Sequence, residues 1–402
     1  MSFQQGLSGL NAAAKNLDAI GNNVANASTV GFKQSQAQFA DVYASSLTGA
    51  GGSNIGIGTK LAAVAQQFTQ GNISTTNNPL DIAINGGGFF RMDNNGEINY
   101  QRNGQFQLDR MGYIVSASGA KLTGYTADTN GVLSTGAPTA ININAADLEP
   151  QMTSQVNAVL NLNSSATAIA APFNKDDPTT FHNSTAVSVY DSLGNQHTLQ
   201  TYYVKVADGT WDVYASSDGG PASSAGTLTF DTYGALTGGS PLSINVSTTG
   251  TGAIDPLPVN VEYTGSTQFG SGFSVNTLNQ DGYTSGRLAG FAIGADGIIL
   301  GRYTNGQSAT LGQVVLASFA NPNGLQPLGN NMWAETSTSG APLVGTPDTG
   351  SLGVLQSSAV EDSNVDLTAE LVNMITAQRV YQANAQTIKT QDAVMQTLVN
   401  LR

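Results

Sequence analysis

The chain has 402 residues, and only 10% of them are charged, against about 25% in ordinary globular domains. Its net charge of −13 argues against nucleic-acid binding, which needs clustered basic residues, and against binding to an anionic membrane surface. The chain contains no cysteine, which excludes disulfides and thiolate metal sites, and no apolar run reaches membrane-spanning length.

A polar but uncharged surface is predicted for much of the chain. Residues 206–286 and 303–378 contain no lysine or arginine, while glycine, serine, threonine and asparagine are abundant. The N-terminus lacks a basic start and a continuous apolar segment, so we expect no cleaved secretory signal.

The first predicted element is an amphipathic helix that ends near Asn26. Apolar residues recur every seven positions, with a fifth beside them, at Phe3, Leu10, Leu17, Val24 and Leu7. A capping box is formed by Ser2 and Gln5. Three glycines inside this helix each cost about 1 kcal/mol relative to alanine, so the helix is expected to need a partner.

An antiparallel inner β domain is predicted in two parts, residues 71–144 and 287–360, after the helix and connecting segment at 1–70. The glycine-rich segment 45–60 reads as a surface loop. Beyond it, period-two patterns and glycine turns predict strands at 89–92, 98–102, 105–108, 113–115, 288–293, 298–303 and 314–319.

The insertion at 145–286 predicts a second, outer β domain. Regularly spaced strands are expected at 186–190, 197–206, 210–214, 226–230, 242–246 and 259–263. Such spacing is typical of a small barrel or sandwich, which we expect to stack on the inner domain.

A long heptad helix is predicted over residues 361–402. Its apolar positions are Leu367, Met374, Tyr381, Ile388 and Met395, with Leu371 and Leu398 in a second line. Ser363 and Asp366 form its capping box. The predicted fold is therefore mainly β with terminal α: paired N- and C-terminal coiled-coil helices plus two antiparallel β domains, the outer inserted in the inner.

Catalytic and metal sites are not predicted. The chain has two histidines. His182 lies in a loop near two aspartates and is interpreted as solvated, and His197 starts a strand, where an exposed polar residue is usual. No serine lies in a nucleophile elbow, and the calcium-like run from Thr126 has Ala137 where the bidentate glutamate should stand. We expect no enzyme activity, no cofactor and no metal.

Five sequence blocks resemble bacterial flagellar rod and hook proteins. The first, 22–33, reads NNVANASTVGFK and carries the family motif at Asn23, Asn26, Thr29, Gly31, Phe32 and Lys33. The others are QGN at 70–72, LDIAINGGGFF at 80–90, FANPNGLQPLGNNMW at 319–333 and a long block at 363–392. Together they cover about half of the chain, in order and at both ends.

The resemblance implies a structural subunit that polymerises helically into a curved, flexible hook tube, which transmits torque from rod to filament. It implies four other partners, namely the distal rod, the hook cap, the hook–filament junction protein and the flagellar type III export apparatus, and a place outside the cell. It makes the two apolar helix seams the expected assembly interface.

Two alternatives remain open. A distal-rod subunit shares the terminal motifs but is typically shorter, so the large insertion favours the hook. A β-rich adhesin or carbohydrate-binding module could use exposed aromatic residues such as Trp211 or Tyr214, although it would leave the paired heptads unexplained.

Overall fold

The computed structural model describes residues 2–42, 56–128, 131–143 and 146–400, and the side chains of Ser2, Leu398 and Asn400 also lie outside that description. Most of the predicted loop at 45–60 and the side chain of Leu398 therefore lie outside the described residues. Within them the fold is mainly β with a helix at each end, as the sequence predicts. The chain forms two compact units.

Helix α1 spans Ser2–Ala25 and helix α2 spans Leu367–Asn400. The N-cap of α2 differs from the prediction. Asp366 Oδ1 accepts hydrogen bonds from the N–H groups of Thr368 (2.9 Å) and Ala369 (3.1 Å), whereas Ser363 Oγ accepts from Val365. The carboxylate of Asp366 is thus the cap, because it lies one residue before the helix and satisfies two free N–H groups.

The first unit comprises Met1–Asn144, Gly290–Gly301 and Ser308–Arg402. After α1 comes an antiparallel hairpin, strands β1 (Ser35–Val42) and β2 (Gly58–Gln66), in which Phe39 is paired with Leu61. This hairpin lies in the part of 1–70 that the sequence predicts to be a connecting segment, so that prediction is wrong here. Its alternation is weak, because its apolar residues are mostly alanine.

A large sheet forms the body of the first unit. Its strands are Phe89–Asn94, Glu97–Gln101, Phe106–Leu108, Ile114–Ser116, Lys121–Thr126, Thr139–Ala140, Leu288–Ile293, Ile298–Tyr303, Ser308–Val314, Leu316–Ser318, Gln326–Gly329, Met332–Ala334 and Leu343–Gly345. The predicted strands at 288–293 and 298–303 are confirmed to the residue. The strand expected at 314–319 is instead two, which end and begin around Val315.

Two small ladders bring the beginning and end of the chain together. Ile73–Thr75 pairs with Ala359–Glu361, and Ile82–Asn85 pairs with Val354–Ser357, both antiparallel. The segments that follow the hairpin and precede α2 therefore lie side by side.

The second unit comprises Ala145–Ala289 and Arg302–Gln307. One sheet contains Gln155–Asn163, Leu242–Val246, Leu257–Glu262, Thr267–Phe269 and Ser274–Gln280; the other contains Asn183–Tyr190, Gln196–Ala207, Thr210–Ser217, Ser223–Phe230 and Leu236–Gly238. Apolar side chains from both sheets form one buried core, including Leu160, Val213 and Val259. Burial of this shared core supplies the main favourable term for folding the unit.

Candidate functional site

Helices α1 and α2 pack antiparallel through glycine residues. Gly6 lies opposite Ile388, Gly9 lies opposite Asn384, and at the other end Asn23 reaches Glu370. A Cβ placed on Gly9 would come within 2.7 Å of Asn384 Oδ1, which is closer than real contacts allow. The glycines that weaken α1 as an isolated helix thus let the two backbones approach.

The predicted seam of α1 does not form this contact. Phe3 and Leu7 are 51% and 45% exposed, and Leu10, Leu17 and Val24 are half-buried. The buried positions of α1 are instead Gly6, Ala13, Ile20 and Asn23, which lie on the face toward α2. The seam therefore remains available, as a prediction, for contact with other chains.

Most apolar side chains of α2 are also exposed. Within the predicted seam, Met374 and Ile388 are half-buried, and the exposed members are Leu367, Leu371, Tyr381 and Met395. Further exposed apolar residues on this helix are Val372, Ile375, Val380, Val394 and Val399. The first residues of α1 lie opposite about residue 390 of α2, because Gly6 is opposite Ile388 and the helices are antiparallel. The last turns of α2 therefore extend beyond the N-terminus of α1.

A groove of about 880 Å³ lies between α1, the β1–β2 hairpin and α2. Its walls combine small residues, such as Ala12, Ala19 and Ala377, with amide side chains such as Asn16 and Asn373. The groove therefore runs beside the helix pair, from the Gly9–Asn384 contact to the Asn23–Glu370 hydrogen bond.

The predicted motif residues form the turn that leads out of α1. Thr29 Oγ1 donates to Asn26 Oδ1 (3.3 Å), and the N–H of Phe32, which is buried, donates to the Thr29 carbonyl (3.2 Å). Gly31 has φ = +71°, and a Cβ on it would come within 2.5 Å of the Asn103 nitrogen. A larger residue could not occupy this position, which explains the glycine in the motif.

Lys33, the last motif residue, enters a buried group of three charges. Its Nζ lies 2.7 Å from Glu361 Oε1 and donates to the Thr69 carbonyl at 2.8 Å, while Arg102 Nη1 lies 3.1 Å from Glu361 Oε2. The side chains of Lys33 and Glu361 have no exposed surface. Burial lowers the pKa of Lys33, and the neighbouring Glu361 carboxylate opposes that effect.

Asn23 and Glu370 form a second buried polar group. Asn23 Nδ2 donates to the Ser35 carbonyl, and its Oδ1 accepts from the Ser35 N–H, both at 2.8 Å. Glu370, in the first turn of α2, accepts from Gln34 Nε2 at 2.8 Å and from Asn23 Nδ2 at 3.3 Å. A carboxylate at this end of a helix is also stabilised by the helix dipole.

Sequence reasoning missed three partners of the motif. Arg102, Glu361 and Glu370 lie far from residues 22–33 along the chain, and no local pattern links them to the motif. One signal was present: in a chain with so few charges, Arg102 and Glu361 each lie within or beside an apolar strand pattern. A charged residue that such a strand buries is almost always paired.

Three interpretations of the second unit are wrong. His197 is buried, with Nδ1 2.6 Å from Asp218 Oδ2 and Nε2 3.3 Å from Asp191 Oδ2, so it is no exposed strand-start residue. Trp211 has no exposed surface, because it lies in the shared core. His182 is not free in solvent: its Nδ1 accepts from the Lys205 N–H at 3.1 Å, and its ring contacts Trp211.

Among the described residues, no cluster of three or more histidine, aspartate or glutamate side chains is arranged to bind a metal ion. In the same part of the chain, neither helix combines the length and the apolarity that a membrane span needs.

Four family models match the chain, and together they cover most of it. They are "Flagella basal body rod protein" at residues 3–33, "Flagellar hook protein FlgE/F/G D1 domain" at 83–159, "Flagellar basal body protein FlaE D2 domain" at 161–283 and "Flagellar basal body rod FlgEFG protein C-terminal" at 356–401. The terminal matches contain the motif and α2.

Curated relatives match over the full length. The flagellar hook protein FlgE of Escherichia coli (strain K12) is 43% identical over 410 residues, with 100% of both chains covered. That of Borreliella burgdorferi is 33% identical over 439 residues, covering 100% of this chain and 99% of the relative. The crystal structure of Helicobacter pylori flagellar hook protein FlgE2 shares the fold, with a TM-score of 0.54 at 14% identity, and covers 72% of this chain and 100% of that one.

Proposed function

The chain belongs to the flagellar hook protein family and is a structural subunit of the hook, and we propose that its terminal helices are the surface through which copies polymerise. The observation that carries this proposal is the set of apolar side chains left exposed on α1 and α2 after the two helices have packed. Exposed apolar surface of this extent marks an interaction site.

Burial of this surface between copies is the driving force. Phe3 and Leu7 on α1, and Leu371, Tyr381 and Met395 on α2, expose apolar area that a neighbouring helix would cover. Burial stabilises by about 25 cal/mol per Å² of apolar surface. In the polymer we assign the exposed members of the predicted seam to contacts between chains, in a coiled-coil arrangement. The glycine face of α1, together with the seam residue Ile388 of α2, forms the contact within one chain.

Family membership supports the finer assignments. We assign the polymer the form of a curved tube that acts as a universal joint between rod and filament. The same reasoning gives the distal rod, the hook cap, the hook–filament junction protein and the type III export apparatus as partners, and an extracellular place reached without a cleaved signal peptide. The second unit would be a sandwich, since its two sheets enclose one core.

A structural and non-enzymatic role fits the charged groups of the first unit. Lys33, Arg102 and Glu361 are closed off from solvent by one another and by backbone groups, so no substrate could reach them. Glu370 is likewise buried and satisfied by amide donors. These groups hold segments together.

The low charge of the chain is suited to a joint that flexes while it rotates. Neighbouring subunits with few charges can slide without breaking strong ion pairs, so the bending stiffness of the tube should change little between low and high salt. Strong stiffening or softening by salt, measured from tube curvature fluctuations, would contradict this assignment.

The two alternatives are weaker. A distal-rod role is disfavoured because hook proteins match this chain from end to end, including the 145–286 region. A carbohydrate-binding module loses Trp211 to the core, and Tyr214 stacks on Phe173 with ring centroids 4.2 Å apart. Binding of glycans by the full chain on an array would revive that alternative.

Electron microscopy of the purified chain under polymerising conditions tests the proposal. We expect curved tubes, and a chain that stays monomeric under all such conditions would overturn it. Engineered single cysteines on the seam provide a second measurement, since the chain has no native cysteine. Seam positions should become protected from thiol labelling on polymerisation, while an exposed position in the second unit, Tyr233→Cys, should stay reactive.

A further inference from the structure

The two cations beside Glu361 are held in different ways. Arg102 is anchored by the sheet itself: Nη2 donates to the Gly86 carbonyl at 2.8 Å, and the guanidinium lies 5.5 Å from the centre of the Phe89 ring. These contacts do not involve either terminus. Arg102 and Glu361 therefore make a pair that belongs to the β structure.

Lys33 reaches the same carboxylate from outside that structure. It lies on the segment that leads from α1 to the hairpin, and its hydrogen bonds go to Glu361 and to the Thr69 carbonyl. The neighbouring Gly31 N–H donates to the Glu361 carbonyl at 2.8 Å. One step further, the Gln34 N–H donates to Asn364 Oδ1 at 2.7 Å.

We propose that Lys33 couples the folding of the segment after α1 to the folding of the segment before α2, so that neither is fully ordered without the other. We call this role of Lys33 the latch. The two segments are separated by more than 300 residues along the chain, and Lys33 adds an ion pair with Glu361 to the hydrogen bonds between them. This inference goes beyond the proposed function, because it concerns the folding of a single chain and holds whether or not the chain polymerises.

The charges that remain after each substitution distinguish a coupling role of Lys33 from a role in the stability of the core. Without the Lys33 ammonium, Arg102 and Glu361 remain as a neutral, hydrogen-bonded pair, which the β structure tolerates. Without the Glu361 carboxylate, two buried cations remain with no anion, which is strongly destabilising. Loss of the Lys33 charge and loss of the Glu361 charge both break the Lys33–Glu361 ion pair. The second should nevertheless destabilise more of the chain than the first.

The experiment compares three full-length variants by hydrogen exchange and mass spectrometry, on the free chain and on polymer where it forms. Lys33→Met removes the charge and leaves an unbranched apolar side chain that is one atom shorter, and Glu361→Gln removes the carboxylate. Lys60→Met makes the first substitution at an exposed lysine of β2 and is the matched control.

Lys33→Met should speed exchange about tenfold or more in 20–36 and also in 359–370, and leave 82–126 as in the parent. Glu361→Gln should speed exchange in all three segments, and Lys60→Met in none. Faster exchange at 82–126 in Lys33→Met would show that Lys33 is an ordinary core member and would overturn the latch. Unchanged exchange at 359–370 in Lys33→Met would also overturn it. The same holds if residues 20–36 of the parent chain exchange fully both in the free chain and in the polymer.

Discussion

Gly9 of α1 lies against Asn384 of α2 so closely that a Cβ on the glycine would come within 2.7 Å of the Asn384 Oδ1 atom. At Gly21, in the same helix, no described atom beyond the neighbouring backbone of α1 lies within 4 Å of the corresponding position. The two glycines therefore play different parts, although both lower the intrinsic helix propensity of α1 by about the same amount.

The same substitution at these two glycines should act in opposite directions. Gly9→Leu should displace the Asn384 amide and crowd the contact between α1 and α2, with a loss at the lower end of the roughly 1 to 3 kcal/mol that overpacking causes. Gly21→Leu should stabilise α1 by up to about 1 kcal/mol, because leucine is the better helix former. Hydrogen exchange of residues 375–390 in the free chain is the measurement. Equal loss of protection in both variants would contradict the assigned contact.

A carboxylate buried at the helix contact or on the seam should abolish polymerisation. Ile388→Asp puts a carboxylate beside Gly6, and Leu10→Asp puts one on the half-buried seam of α1. Burial of an unpaired carboxylate costs several kcal/mol, so neither variant should form tubes, while the β sheets stay folded. Sedimentation and circular dichroism measure the two effects.

Gln386→Glu is the control for these variants, because Gln386 is exposed on α2. It adds one carboxylate to the same helix without burying it, and polymerisation should be nearly unchanged. If this variant fails to polymerise as completely as Ile388→Asp does, net charge and not the seam is responsible.

The sequence predicts the helices well because heptad periodicity is a local signal. Leu367 to Met395 is one such run, and α2 occupies it. The periodicity could not predict which face of each helix contacts the other helix. Phe3 and Leu7 look like core residues by pattern, yet the face toward α2 carries Gly6 and Ala13. Small residues permit close approach of backbones, and apolar periodicity does not register them.

The buried polar groups could not be predicted for a different reason. Glu361 is positioned by one small ladder, which pairs residues 73–75 with 359–361, and Lys33 reaches it from the segment after α1. That pairing is non-local, and neither short strand carries a pattern strong enough to indicate its partner. The hairpin β1–β2 was missed because alanine, serine and glutamine carry little β signal.

His197 should make the second unit less stable as pH rises. Burial alone would lower the pKa of His197, but hydrogen bonds to Asp218 and Asp191 outweigh it and raise the pKa above its usual 6.5. Burial also opposes ionisation of Asp191, yet hydrogen bonds from Asn195, Leu193 and His197 hold its pKa at about 2.

The sign of the effect follows from these directions. The contribution of the His197 imidazolium is fully present below pH 6.5 and is lost as pH rises through its folded pKa. The contribution of Asp191 is present above pH 3.8 and is lost as pH falls toward 2. The second unit should therefore be most stable between about pH 4 and 6.5.

Trp211 fluorescence is a suitable probe, since Trp211 is buried in this unit and Trp333→Phe removes the chain's other tryptophan. In that background, His197→Gln should destabilise the unit by about 1 to 2 kcal/mol at pH 5.5 and by less at pH 8. A loss that is independent of pH would show that His197 acts by packing and not by charge.

Excision of residues 145–286 should leave the first unit folded. The chain enters and leaves the second unit at adjacent points. Leu148 and Gly286 exchange backbone hydrogen bonds of 2.7 and 3.3 Å, and Gln151 and Tyr283 exchange bonds of 3.0 and 2.9 Å. A linker of a few residues can therefore join 144 to 287 with little loop-closure cost. Hydrogen exchange should show the strands Ile82–Asn85 and Phe89–Asn94 protected as in the full chain.

Tubes formed by the shortened chain should lose their preferred curvature in electron micrographs, since contacts made by the excised unit would be gone. Collapse of protection in those strands would instead show that the first unit cannot fold without the insertion.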